Sequence, residues 1–259
     1  MLKFAVNFSF LFQEVDFLQR FSLAGKAGFK AVETNWAILD YDVETLLKTM
    51  SDAGVELIHF VAERSTTKDE EGIIGVPGRE ADFLVTAERA FKHAKALNCH
   101  KILFSHGFAP ENPADIPKHE HTIVENLKKA GELAKYSDIT VLLEPLSRPG
   151  VFVNSLKFGM SILKQVNLPN VKLQFDFYHV QKTDGNLTEF LRENFDYVDH
   201  IQFGQVPDRH EPDSPGELNF DFLFGVLEEL KYNGWVSAEY FPIGKTEEGL
   251  GWLQKYLKK

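Results

Sequence analysis

Four oxygen-bearing side chains stand where an apolar run of the chain stops: Glu144 in "TVLLEPLS", Asp176 in "VKLQFDFYHV", Gln202 in "HIQFGQ" and Glu239 in "VSAEYF". A strand does not need a carboxylate at its end to fold, and burying one is costly unless it is paired or holds a metal. Three carboxylates converging in a partly dry pocket repel one another, and a divalent cation among them removes the conflict. With Glu144, Asp176, Gln202 and Glu239 as ligands every donor is oxygen, which suits Mg²⁺ or Mn²⁺ better than Zn²⁺. Each residue alone has an ordinary alternative, as a helix cap or a partner of a lysine. Gln202 has a further one, hydrogen-bonding a neighbouring loop. Four such residues in succession favour the metal reading.

Two more residues belong with this set. His179 follows Asp176 by three positions, where it can bind a substrate oxygen, support the metal from outside its ligand shell, or simply pack. Arg209 lies in "GQVPDRHEPDSPGELNF", a loop whose Pro, Asp and Gly content predicts order. Its planar fork is suited to gripping a carboxylate by two parallel hydrogen bonds. Pairing with Asp208, Glu211 or Asp213 is the alternative. His59 and His106, in or just after apolar runs, line the pocket or pack.

What must position these groups is a regular alternation. Short apolar runs occur at "KFAVNFS", "KAVET", "ELIHFVA", "KILFSH", "ITVLLEP", "VKLQFD", "HIQFG" and "VSAEYF", each followed by residues at helical spacing. Phe83, Ala87, Ala90, Phe91, Ala94 and Leu97 are one such stripe; Ile123, Leu127, Ala130 and Ala134 are another; Phe220, Leu223, Leu227 and Leu230 a third. The joints "KAGFKAVE" and "KYNGWVSAE" each offer a glycine, Gly28 and Gly234, for a left-handed helix cap. Eight βα units in 259 residues with no linker predict one domain, residues 1–259, folded as a (β/α)8 TIM barrel. A doubly wound open sheet loses ground because no glycine-rich turn follows the first strand. In a barrel the chemistry sits at the C-terminal strand ends, where strands five to eight deliver the four residues above. Glu33, ending strand two across the barrel, reads as structural or as an outer contact. Glu63 reads as solvated, and the long segment "AERSTTKDEEGIIGVPGREADF" as a lid.

Composition narrows the partners. A net charge of −10 argues against nucleic acid or an anionic membrane surface, though a local arginine or a metal still admits a small anionic substrate. Cys99, the single cysteine, leaves no disulfide framework and no thiolate zinc site. The apolar start "MLKFAVNFSFLFQEV" is too short to span a bilayer and lacks a small-residue cleavage site, so a cytoplasmic protein is expected. Oligomeric state is not legible.

The combination of "FAVNFSFLF", "GVPGRE", "LLEPLS", "DFYHVQKTDGNLT", "HIQFGQVPDRHEPDSPGELNF", "AEYFP" and "TEEGLGW" resembles the hydroxypyruvate isomerase family of the xylose isomerase-like TIM-barrel superfamily, over essentially the whole chain. The resemblance implies reversible interconversion of hydroxypyruvate and 2-hydroxy-3-oxopropanoate (tartronate semialdehyde). It implies Glu144 and Glu239 as proton donor and acceptor, and Glu144, Asp176, Gln202 and Glu239 as the metal set. Related ketose 3-epimerases typically carry His where Gln202 stands, so the likeness leans away from them. A ketose 3-epimerase or a 2-oxo sugar-acid isomerase is the alternative on the same frame. An apurinic-site endonuclease needs a histidine-rich multi-zinc site and a basic face, and a non-catalytic binding protein has no need of paired glutamates.

Overall fold

In the computed structural model, which describes residues 1–62 and 71–257, eight parallel strands close into a barrel in chain order. They are β1 Lys3–Asn7, β2 Ala31–Thr34, β3 Glu56–Val61, β4 Lys101–Leu103, β5 Thr140–Leu143, β6 Val171–Asp176, β7 Val198–Phe203 and β8 Trp235–Ala238. β1 pairs with β8 through Phe4 and Val236, so no sheet edge remains. Helices α1 Phe17–Ala27, α2 Val43–Ala53, α3 Glu80–Leu97, α4 Ile116–Ala134, α5 Leu156–Val166, α6 Phe177–Thr183, α7 Leu187–Asn194, α8 Phe220–Glu229 and α9 Gln254–Leu257 follow the strands. Among the described residues no helix is long and apolar enough to cross a membrane.

The periodic stripes are the faces that bury. All six apolar positions expected on α3 and all four on α4 lie in the core, as do Phe220, Leu223 and Leu227 of α8. Leu230 is only half-buried, because α8 has ended before it. α1 closes on Gly28 at φ 102°, as expected. The matching expectation for Gly234 does not hold: the left-handed residue after α8 is Lys231, at φ 56°. Its N–H reaches back to the carbonyl of Glu228 at 3.0 Å, so the chain has turned three residues before the glycine. Phenylalanines fill the space between barrel and helices; Phe203, for one, packs edge-on against Phe224 and Trp252.

Glu63 and the following residues to 70 lie outside the described residues, and with them the first part of the expected lid. From Glu71 onward the chain packs down on the barrel rim. Gly72 bridges to His106 at φ 117°, where a Cβ would stand 2.0 Å from the Ser105 carbonyl oxygen, so only glycine fits. Ile73 and Ile74 are buried, and Asn126 donates to the Ile74 carbonyl at 2.9 Å.

Candidate active site

Asp176 ends β6 and Gln202 lies one residue inside the end of β7, facing each other in register. Glu144 and Glu239 each follow directly on the last residue of β5 and β8. All four are buried. Glu144, Gln202 and Glu239 line a cavity of about 370 Å³ at the C-terminal mouth of the barrel, together with His179 and Arg209. Asp176 meets this cavity through the last two. The structure thus gathers every residue singled out at the strand ends.

Arg209 reaches into the cluster. Its Nη2 donates to Asp176 Oδ2 at 2.8 Å and to Glu239 Oε1 at 2.5 Å, while Nε donates to the Glu239 main-chain oxygen at 3.1 Å. The loop acids Asp208, Glu211 and Asp213 are not its partners; Glu211 instead accepts the Ile243 N–H at 3.1 Å. Phe10 and Tyr178 flank the guanidinium, with ring centroids 4.5 and 4.7 Å from its carbon. The Arg209 backbone has φ 58°, an unfavourable conformation for a side-chain-bearing residue. It is held there by hydrogen bonds to the main chain of Gln205 and Phe241, both 2.7 Å. The Gln205 side chain braces the same loop, accepting from the Val206 and Leu218 N–H groups at 3.0 and 2.8 Å.

Three carboxylates buried around one guanidinium lose more solvation than that one partner returns, and it shows in their proton affinities. Burial, and then Glu239 and Asp176, push Glu144 well above the usual carboxylate range. Burial raises Asp176 against the pull of Arg209. Burial raises Glu239 to about 8, with Asp176 and Glu33 adding to it and Arg209 opposing. Burial works against the Arg209 charge, yet Glu239, Asp176 and Glu144 hold its pKa above the ordinary value.

This donor set fits a divalent cation. Glu144 Oε1 is buried without a hydrogen-bond partner, an orphaned acceptor that a cation would satisfy. Glu144, Asp176 and His179 each bring one ligating atom within 4.8 Å of the others. His179 is nevertheless committed to another task. Its Nδ1 accepts the Ser147 main-chain N–H at 3.1 Å and lies 2.8 Å from Ser147 Oγ. Burial and the nearby Arg209 push its pKa well below the ordinary value, so the ring is neutral. A neutral imidazole with Nδ1 as acceptor carries its hydrogen on Nε2, and that nitrogen lies 3.6 Å from Asp176 Oδ2. His179 therefore presents a donor, not a lone pair.

Glu33 is no outer contact. It is fully buried, 2.6 Å from Gln202 Nε2, 2.7 Å from Asn7 Nδ2 and 2.5 Å from His200 Nε2. Burial alone would raise its pKa, but His200 and the other donors hold it below the usual carboxylate range. Asn7 uses its other amide hydrogen on Glu239 Oε2 at 2.7 Å. Among the described residues the Gln202 amide has no loop partner; its oxygen accepts from Gln174 Nε2 at 2.6 Å. His59 stacks on His200 beneath the cavity, and His106 lines it with both ring nitrogens engaged by main-chain groups.

Asn7, Ser147, Gln174 and Arg148 were not anticipated. Arg148 lines the same cavity and makes a forked pair with Glu71 at 2.8 and 3.0 Å. Asn7 does end an apolar run, the one signal that bore on it. The other three carry none, since their roles depend on contacts across 28 to 77 residues of sequence.

Comparison with known proteins identifies the family of the chain. The family described as xylose isomerase-like TIM barrel matches residues 21–256. A putative hydroxypyruvate isomerase of Danio rerio is 41% identical, covering 98% of this chain and 95% of its own. A 2-oxo-tetronate isomerase of Pectobacterium atrosepticum is 35% identical, covering 100% and 99%. A solved structure from Brucella melitensis, described as a family 2 AP endonuclease, superposes with a TM-score of 0.94 at 38% identity, covering 99% of each chain. The chain belongs to the xylose isomerase-like TIM-barrel family and, within it, to the hydroxypyruvate isomerase group of enzymes.

Proposed function

We propose that this enzyme interconverts hydroxypyruvate and 2-hydroxy-3-oxopropanoate by moving one proton between adjacent carbons through an enediolate. The observation that carries the reading is the cluster of Glu144, Asp176 and Glu239 around Arg209, in which burial raises the proton affinity of all three and brings Glu239 to about 8. A carbon acid is deprotonated and reprotonated most readily by groups that titrate near the working pH. Glu144 and Glu239 are the proton carriers: one takes the hydrogen from C3 of hydroxypyruvate, and it or the other returns a proton to C2. The C3 hydroxyl proton passes to the C2 oxygen, so product and substrate remain isomers.

The surrounding groups serve that transfer. His179 directs Nε2–H at a substrate oxygen, and Arg209 places positive charge where the enediolate gathers negative charge. Arg209 is also the residue assigned to the substrate carboxylate. The cation ligands are Glu144, Asp176, Gln202 and Glu239. A divalent ion bound there, Mg²⁺ or Mn²⁺ by the chemistry of the donors, supplies Lewis-acid polarisation of the substrate's carbonyl and hydroxyl oxygens. Asn7 and Arg209 grip the two Glu239 oxygens and hold that carboxylate in place.

The 2-oxo-tetronate isomerase likeness supports a second reading, a substrate one carbon longer on the same proton transfer. Nuclease chemistry finds less support: the cavity walls are acidic and the chain carries a net charge of −10. The test is to incubate the Mg²⁺-loaded protein with hydroxypyruvate, 2-oxo-tetronate and free ketoses, following each isomer directly. Formation of tartronate semialdehyde with the highest kcat/KM supports the first reading. Preference for the four-carbon acid supports the second, and turnover of ketoses alone rejects both.

A further inference from the structure

We infer that Glu33 is a positioning residue, whose buried carboxylate sets the side-chain amide of Gln202 with its oxygen facing the cation site. An amide can ligate a cation only through its oxygen, and its two ends differ little in shape. Something must therefore decide which end faces the site. Glu33 Oε1, 2.6 Å from Gln202 Nε2, accepts hydrogen bonds and donates none. Turning the amide over would set its oxygen against an oxygen that already accepts from Asn7 at 2.7 Å. Gln174, donating to Gln202 Oε1 at 2.6 Å, reinforces the same orientation from the other end.

Glu33 is held in place for this role. Both its oxygens are occupied by donors, Oε1 by Asn7 and Gln202 and Oε2 by His200, and the residue is inaccessible to solvent. The trio Glu33, His59 and His200 also brings ligating atoms within 4.8 Å of one another. It does not make a second metal centre, because His200 Nε2 is already spent on Glu33 at 2.5 Å and the two imidazoles stack at 24° between planes. Its use is to anchor an anion below the site.

The inference rests on the reading of Gln202 as a cation ligand. It is tested by calorimetric titration of Mn²⁺ into the wild-type chain, Glu33→Gln, Gln202→Leu and the double variant. Glu33→Gln keeps the volume but leaves one acceptor oxygen for three donors and removes the charge. Residues that orient ligands typically contribute about 10- to 100-fold to metal affinity, so Glu33→Gln should bind Mn²⁺ at least about tenfold more weakly. In the Gln202→Leu background the same change should cost little, because Glu33 then has no amide to orient. Undiminished affinity in Glu33→Gln, or an equal loss in both backgrounds, would overturn the inference and leave the cation site standing. Wild-type protein that binds no Mn²⁺, or a Gln202→Leu chain that binds as wild type, would overturn both. Should Glu33→Gln not fold, Gln202→Glu decides. The new carboxylate would face that of Glu33, so affinity should not exceed wild type despite the added charge; a rise of about tenfold, as an unopposed anionic ligand would give, contradicts the inference.

Discussion

Asp176 accepts a hydrogen bond from Arg209 at 2.8 Å, so a guanidinium stands against the oxygen a cation would claim. The other Asp176 oxygen caps α6, accepting from the Tyr178 N–H at 2.9 Å. Asp176→Asn keeps the cap acceptor and loses the charge, whereas Asp176→Ala loses both. Both variants should bind Mn²⁺ at least about tenfold more weakly. The alanine form should also lose the contribution of the cap, about 1 kcal/mol. Calorimetry and thermal melts separate the two effects; wild-type Mn²⁺ affinity in Asp176→Asn would remove Asp176 from the ligand set.

Arg209→Lys retains the charge but not the planar fork held between Phe10 and Tyr178. KM for hydroxypyruvate should rise by about tenfold or more, while turnover of dihydroxyacetone, which lacks a carboxylate, changes much less. Equal losses on both substrates would make Arg209 a support for its neighbours and leave the substrate carboxylate to Arg148, the second guanidinium on the cavity wall.

His179→Gln should separate substrate contact from cation binding. Because Nδ1 is occupied by the Ser147 N–H, the nitrogen facing the site carries hydrogen. The variant should lower kcat/KM by about 10²-fold and leave Mn²⁺ affinity within about twofold of wild type. A large loss of affinity would show His179 acting as a ligand.

The site also predicts how stability depends on pH. The folded state holds a proton on Glu239 more tightly than the unfolded chain does, since its pKa rises from 4.5 to about 8. That stabilisation is present at low pH and lost as pH rises through about 8. His106 and His200, lowered to about 4 by burial, act oppositely, but only below their ordinary value of 6.5. Glu33, held low, is ionised in folded and unfolded chains alike above 4.5 and adds no slope there. The thermal midpoint of metal-free protein should therefore fall between about pH 7 and 8.5. Glu239→Gln should flatten the fall, and excess Mg²⁺ should recover most of the loss at the upper end by binding the deprotonated carboxylates. A midpoint that rises over this range would contradict the assigned proton affinities.

The barrel was legible because each strand announces itself by a period switch, and the rim residues because Glu144, Asp176, Gln202 and Glu239 interrupt apolar runs at corresponding points. The network beneath them was not. Asn7 meets Glu239 across 232 residues of sequence, and Glu33 meets Gln202 across 169. Strand alternation places Glu33 inward or outward with equal ease, so its reading as a possible outer contact had no local evidence against it. Gly234 misled for a related reason. A glycine offers left-handed backbone but does not compel it, and here Lys231 takes the turn, its N–H closing on the Glu228 carbonyl.

The central claim is that Glu144 and Glu239 carry the substrate proton, and proton NMR of hydroxypyruvate in D₂O tests it most directly. Wild-type protein, Glu144→Gln and Glu239→Gln are each loaded with Mg²⁺, with loading verified by calorimetry. Wild type should exchange the C3 hydrogens with solvent deuterium and form tartronate semialdehyde. Each variant should lose about 10²- to 10⁴-fold in kcat. If one glutamate serves both carbons, only its variant should stop exchange; if the two act in turn, one variant should still exchange yet form no product. Wild-type exchange and turnover in both loaded variants would contradict the account.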